Sequence, residues 1–128
     1  MNNQKSSEGR ADSSNRKLNR RIDENIVFDS YLWKLYVQTS TSQINELIMA
    51  AKAIRLGVSV EENTLNASSL LNSIKNDSAI IGLNDACSLC DETELALGKV
   101  SGIEDVSKKI YDTAGWLQKR INKIQQGA

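Results

Sequence analysis

Two cysteines and several groups of acids are the residues whose types and spacing could do chemistry in this 128-residue sequence. Cys87 and Cys90 form a C-x-x-C pair, which thioredoxin-like redox sites place at the head of a helix that follows a strand. No strand pattern precedes this pair, and a zinc site would need a second pair of ligands. We therefore expect two small apolar residues on the buried side of a helix. An enzyme hypothesis survives mainly as a thiol reaction at this pair.

The acidic groups favour helix ends and exposed faces over a catalytic site. The sequence has no histidine, which excludes His-based triads, His-ligated zinc and His-ligated haem. Acids near helix starts complement the helix dipole, and no glycine pattern has phosphate-loop spacing. The sequence thus predicts no enzyme activity, no metal and no cofactor. The acidic groups are Glu61/Glu62, Asp91/Glu92/Glu94 and Glu104/Asp105.

Residues 1–21 form a polar, basic segment that we expect to be a disordered tail, since it holds almost no large apolar side chain. Its cations could contact the phosphates of a nucleic acid or an anionic surface, or they could only keep the chain soluble. It contains no apolar core of a signal peptide, so we expect a cytoplasmic, intracellular protein. No apolar run is long enough to span a membrane. The candidate anion-binding residues are Arg10, Arg16, Lys17, Arg20 and Arg21.

The rest of the chain, residues 22–128, predicts an all-α fold. It has no proline to interrupt a helix and no strand-like alternation. We expect a three- or four-helix antiparallel bundle with long, heptad-phased helices that resemble those of coiled coils. The predicted helices span about 22–56, 60–76, 79–99 and 103–125, although 60–99 could equally form one long helix.

Apolar residues at steps of three and four mark the faces through which these helices would pack, either within the chain or with another chain. Tyr31, Trp33 and Tyr36 add aromatic side chains that suit a core or an interface equally well. The predicted packing seam consists of Ile26, Trp33, Val37, Ile44, Leu47, Ile54, Leu71, Ile74, Leu97, Val106, Ile110, Leu117, Ile121 and Ile124.

Helix ends are predicted from capping and turn residues. Gly57 is placed to end the first helix in a left-handed conformation. Ser59 with Glu62, and Ser101 with Glu104, have the spacing of capping boxes. The turn residues 76–78 predict a break between the second and third helices, and Asp77 could cap the third helix.

These features favour a non-catalytic structural or adaptor subunit that assembles with itself or with other chains through helical contacts. Basic, near-neutral, acidic and basic segments follow one another along the chain, a pattern by which antiparallel helices choose neighbours. One alternative is a nucleic-acid accessory protein that uses the basic tail. Another is a component or cargo of a bacterial secretion or phage apparatus, because the Asn/Ser/Gln-rich start has the composition of a secreted leader.

Overall fold

The computed structural model describes residues 30–100 and 102–127, and all the regular secondary structure within them is helical. This confirms the predicted all-α class and replaces the alternative of one long helix over 60–99 with two helices. The basic tail, Ile26 and Ser101 lie outside the described residues. The four helices are α1 (Ser30–Arg55), α2 (Val60–Ile80), α3 (Asn84–Leu97) and α4 (Ile103–Gly127).

Each helix runs antiparallel to the one before it, as the side-chain contacts between helices show. Each helix packs on the next, and α4 also packs extensively on α1, so the four helices enclose a common core. Among them, α3 packs on α2 more extensively than on α4. The contacts that define these directions are Tyr36–Ser78 and Gln43–Ser73, Lys75–Asp91 and Ser68–Glu94, Asp85–Arg120 and Thr93–Thr113, and Ser107 with the Ala51 carbonyl.

The core is built from aliphatic side chains of all four helices. Burying such residues is the main stabilising term of a small domain, at about 1.5–3 kcal/mol for each fully buried side chain. Trp33, Val37 and Ile48 pack against the edge of this core and are partly buried. The largest fully buried side chains are Ile44, Leu47, Ile54, Leu71, Ile74, Ile81, Leu83, Cys90, Ile110, Leu117, Ile121 and Ile124.

The end of α1 follows the predicted glycine cap. Gly57 has φ of +75°, its N–H donates to the Ile54 carbonyl at 2.9 Å, and the Val58 N–H donates to Ala53 at 2.9 Å. These are the two hydrogen bonds of a Schellman motif. The predicted capping box at the start of α2 is wrong. Ser59 is itself left-handed at φ 44° and its side chain caps nothing.

The break between α2 and α3 falls after the predicted position. Residues 76–78 are helical, so Asp77 lies inside α2 and caps no helix. The chain turns instead at Gly82, which has φ of +81°. The Gly82 N–H donates to Ala79 at 3.2 Å and the Leu83 N–H donates to Ser78 at 2.9 Å, a second Schellman motif. The helix continues past the turn-forming residues because Ser78 and Ile81 are buried.

Candidate interaction surface on the outer face of α1

The two cysteines of the C-x-x-C pair differ in burial. Cys90 is fully buried in the core, while Cys87 is partly buried, so the predicted burial holds for Cys90 more than for Cys87. Burial raises the pKa of the Cys90 thiol to about 12, and the neighbouring Cys87 adds to the rise. Because the thiolate is the nucleophilic form, Cys90 is a poor nucleophile near neutral pH.

Neither a cluster of potential metal ligands nor a membrane-crossing helix lies within residues 30–100 and 102–127. No group of three or more Cys, Asp or Glu side chains is arranged there to hold a metal ion. None of the helices in those ranges combines the length and the apolarity needed to cross a bilayer.

A small polar contact joins the first half of α1 to the end of α2. The Tyr36 and Ser78 hydroxyls are 2.9 Å apart and buried, and the Tyr36 ring stacks on Trp33 with centroids at 5.5 Å. Burial raises the pKa of Tyr36, while its bond to Ser78 and the nearby Ser40 hydroxyl act in the opposite direction. Ser40 Oγ is buried and has no hydrogen bond among the described residues. This contact holds the first half of α1 against the end of α2. Tyr36 thus occupies the core position that the sequence pattern assigned to Trp33 and Val37.

The predicted seam residues lie in the chain's own core. Val37 and Trp33 are only partly buried, and Ile26 lies outside the described residues. The surface that remains for another chain is therefore a different one. The buried seam residues are Ile44, Leu47, Ile54, Leu71, Ile74, Leu97, Val106, Ile110, Leu117, Ile121 and Ile124.

A second apolar line runs along α1 on the side opposite its buried face. Leu35, Met49 and Leu56 are 42%, 69% and 78% exposed. They are spaced by multiples of seven residues and therefore lie on one side of the helix. Leu56 stays in phase because its N–H still donates to the Lys52 carbonyl at 3.1 Å. We call Leu35, Met49, Ala53 and Leu56 the outer stripe.

The polar residues that lie between the members of the outer stripe add little charge to this side of α1. Gln38, Ser42 and Glu46 occupy the intervening positions and are exposed, so Glu46 is the one charged residue on this line of α1. Tyr31 lies on the same side, one turn before Leu35. Exposed apolar residues arranged in a line mark interaction sites, whereas scattered ones are ordinary.

The outer face of α4 differs in character. Its exposed residues are mostly polar or charged, such as Asp105, Lys109, Lys119 and Lys123, and its exposed apolar residues are Ile103, Tyr111 and Trp116. A face of this kind is what a helix presents to water. The apolar outer face is therefore particular to α1 in this pair of neighbouring helices.

A cleft of about 350 Å³ lies beside the C-terminal end of the outer stripe, between α1 and α4. Lys52 and Arg55 line one wall, and Glu104, Lys108 and Tyr111 line the other. The hydrogen bond of Lys108 to Asp112, at 2.6 Å, raises the pKa of Lys108. Lys52 and Arg55 are exposed and form no ion pair with any described residue. Lys52 and Arg55 thus place two positive charges on the flank of the stripe, opposite Glu104 on the far wall of the cleft.

Neither a protein-family model, nor a curated protein, nor a solved structure matches this chain.

Sequence reasoning missed the outer stripe although a signal was present. Leu35, Met49 and Leu56 recur at positions that differ by fourteen and seven residues. The stronger line through Ile44, Leu47 and Ile54 on the opposite face masks them, because polar residues interrupt the outer line between Leu35 and Met49.

Proposed function

We propose that this protein is a non-catalytic structural or adaptor subunit that works inside the cell and assembles through the outer face of α1. In this proposal the four helices form one antiparallel bundle with heptad-like spacing, and the buried seams hold the bundle together. The outer stripe then serves as the contact with another chain. The exposure of Leu35, Met49 and Leu56 on one line of a helix whose other face is already buried supports the proposal most directly.

The chemistry of the described residues favours this proposal over an enzyme. The Cys90 thiol is held protonated by burial, and the acids of α2, α3 and α4 lie mostly on exposed faces. A carboxylate that acts as a general acid or base needs an enclosed apolar pocket to tune its pKa. The alternative of a nucleic-acid accessory protein depends on residues 1–21, which lie outside the described ranges.

Site-specific cross-linking tests the proposed contact. A photo-reactive amino acid replaces Met49 in the outer stripe, and in a matched control it replaces Lys109, which is exposed on α4. We expect irradiation of cells that make the protein to give discrete cross-linked species from position 49 and none from position 109. Equal cross-linking at both positions, or none at either, would contradict the proposal.

A further inference from the structure

The charges of the described helices are divided between two sides of the molecule. Helices α2 and α3 together carry seven acidic side chains and one basic side chain. Helices α1 and α4 carry eight basic and four acidic side chains. Since α2 packs on α3 and α1 packs on α4, the fold has an acidic side (α2 and α3) and a basic side (α1 and α4).

Cross-helix ion pairs neutralise only part of this separation. Lys75 pairs with Asp91 at 3.3 Å within the acidic side. Arg120 of α4 pairs with Asp85 of α3 at 2.7 Å, which links the basic side to the acidic side. The exposed acids Glu61, Glu62 and Glu92 form no ion pair with any described residue. The sequence predicts that oppositely charged helices choose one another as neighbours. The fold instead leaves much of the charge facing outwards on two opposite sides.

The acidic side also carries exposed apolar residues. Leu65 lies one turn before Ser68 on α2, and Leu95 follows Glu94 on α3. The Ser68 hydroxyl donates to Glu94 at 3.1 Å, so both leucines lie at the same end of the α2–α3 pair. Both are more than 60% exposed. This side therefore has apolar residues with an acidic border, whereas the outer stripe has apolar residues with a basic border that includes Lys34, Lys52 and Arg55.

We propose that the outer stripe of one copy docks on the acidic side of a second copy, beside Leu65 and Leu95. This inference rests on the proposed function and names the partner as the chain itself. Opposite potentials on the two faces steer the contact and fix its orientation. A contact between two different faces leaves one of each free, so it generates rings or filaments and not closed dimers.

Charge also disfavours the simpler arrangement in which two outer stripes pack on each other. In an antiparallel pair centred on the stripe, the same flanks of the two helices meet. Lys34 of one copy would then lie near Lys52 of the other, and like charges placed side by side are repulsive. The acidic side offers Lys34 and Lys52 partners of opposite sign.

Two charge-reversal variants test the proposal. The first carries Lys34→Glu and Lys52→Glu on the basic side, and the second carries Glu62→Lys and Glu92→Lys on the acidic side. All four side chains are exposed and form no hydrogen bond or ion pair with any described residue. Light scattering on the full chain from about 10 μM to about 1 mM reports self-association. Wild-type protein should exceed the 14.2 kDa of one chain and return towards it as salt rises from about 50 to about 500 mM.

Mixing the variants gives the decisive result. Each variant alone should associate at least tenfold more weakly than wild type. An equal mixture should associate about as strongly as wild type, because the intact stripe of the second variant meets the intact acidic side of the first, and the two reversed faces are also of opposite sign. A chain that carries all four substitutions should self-associate again, since both signs are reversed.

Two outcomes would overturn the inference. Wild-type protein that keeps the mass of one chain at every concentration excludes self-docking, and the Met49 cross-link then still reports whether another protein uses the stripe. An acidic-side variant that self-associates as strongly as wild type means that the acidic side takes no part in the contact, which leaves the proposed function standing. Circular dichroism checks that each variant is folded, and Lys→Gln and Glu→Gln versions replace any variant that is not.

Discussion

Leu47 and Met49 lie two residues apart on α1, yet they face opposite sides of the helix. Leu47 is 0% exposed within the core and Met49 is 69% exposed on the outer stripe. Replacing each in turn with aspartate makes the same kind of change on both faces. Because both positions are in the interior of one helix, the loss of helix propensity is similar at each and cancels in the comparison.

The expected magnitudes differ by several kcal/mol. Losing a buried leucine side chain alone costs about 2–5 kcal/mol, and Leu47→Asp would add the cost of a carboxylate with no partner in the core. Against a total stability of about 5–15 kcal/mol, this variant should be unfolded or close to it. Met49→Asp should change the unfolding free energy by only about 0.5 kcal/mol, as exposed substitutions usually do.

Urea denaturation followed by the helical circular-dichroism signal measures both values. We expect no cooperative transition for Leu47→Asp and a midpoint near that of wild type for Met49→Asp. If Met49→Asp lost more than about 2 kcal/mol, or if Leu47→Asp kept wild-type stability, α1 would be rotated relative to the core. The outer stripe would then not be an exposed face.

Three further predictions concern the core, the turns and the buried thiol. Leu117→Asp should abolish the cooperative urea transition, because Leu117 is fully buried and the charge would have no partner; a normal transition would contradict its placement. Gly57→Ala should lower the thermal midpoint and cost about 1 kcal/mol, because Gly57 has φ of +75°. Gly115→Ala should instead raise stability by up to about 1 kcal/mol, since Gly115 is helical with open space around it. A change of stability in the same direction for both variants would contradict these two expectations. The native Cys90 thiol keeps its proton to about pH 12, whereas an unfolded one loses it near pH 9.0. Stability should therefore fall by about 1.4 kcal/mol for each pH unit in that range, and Cys90→Ala should remove this part of the slope; an unchanged slope would contradict the burial of the thiol.

Much of the fold could be predicted from the sequence because apolar spacing records burial directly. The line through Ile44, Leu47 and Ile54 lies in the core as a helix with that spacing requires. The same reasoning chose Trp33 and Val37, which lie three positions before and one position after the residue that is buried, Tyr36. A hydroxyl-bearing ring is a less obvious core residue, and it is accommodated because the Ser78 hydroxyl lies 2.9 Å from its own.

Turn chemistry was a weaker guide than burial. Residues 76–78 have strong turn propensity, yet they continue α2 because a break there would remove Ser78 and Ile81 from the core. Gly82 ends the helix since it can adopt φ of +81° without steric cost. Ser59 illustrates the same limit: its spacing from Glu62 matches a capping box, but its backbone is left-handed and its side chain makes no capping hydrogen bond.

The candidate surface was harder to predict because α1 carries two apolar faces of unequal strength. A helix that is apolar on one side needs one neighbour layer, and a helix that is apolar on two sides needs a layer on each. In the isolated chain, α2 and α4 cover the first face of α1, while Met49 and Leu56 remain largely in water. Under the proposed assembly, a second copy covers that face and α1 becomes an inner helix. The two apolar lines of α1 would then both be packing surfaces: the buried line packs within the chain, and the outer stripe packs against the second copy.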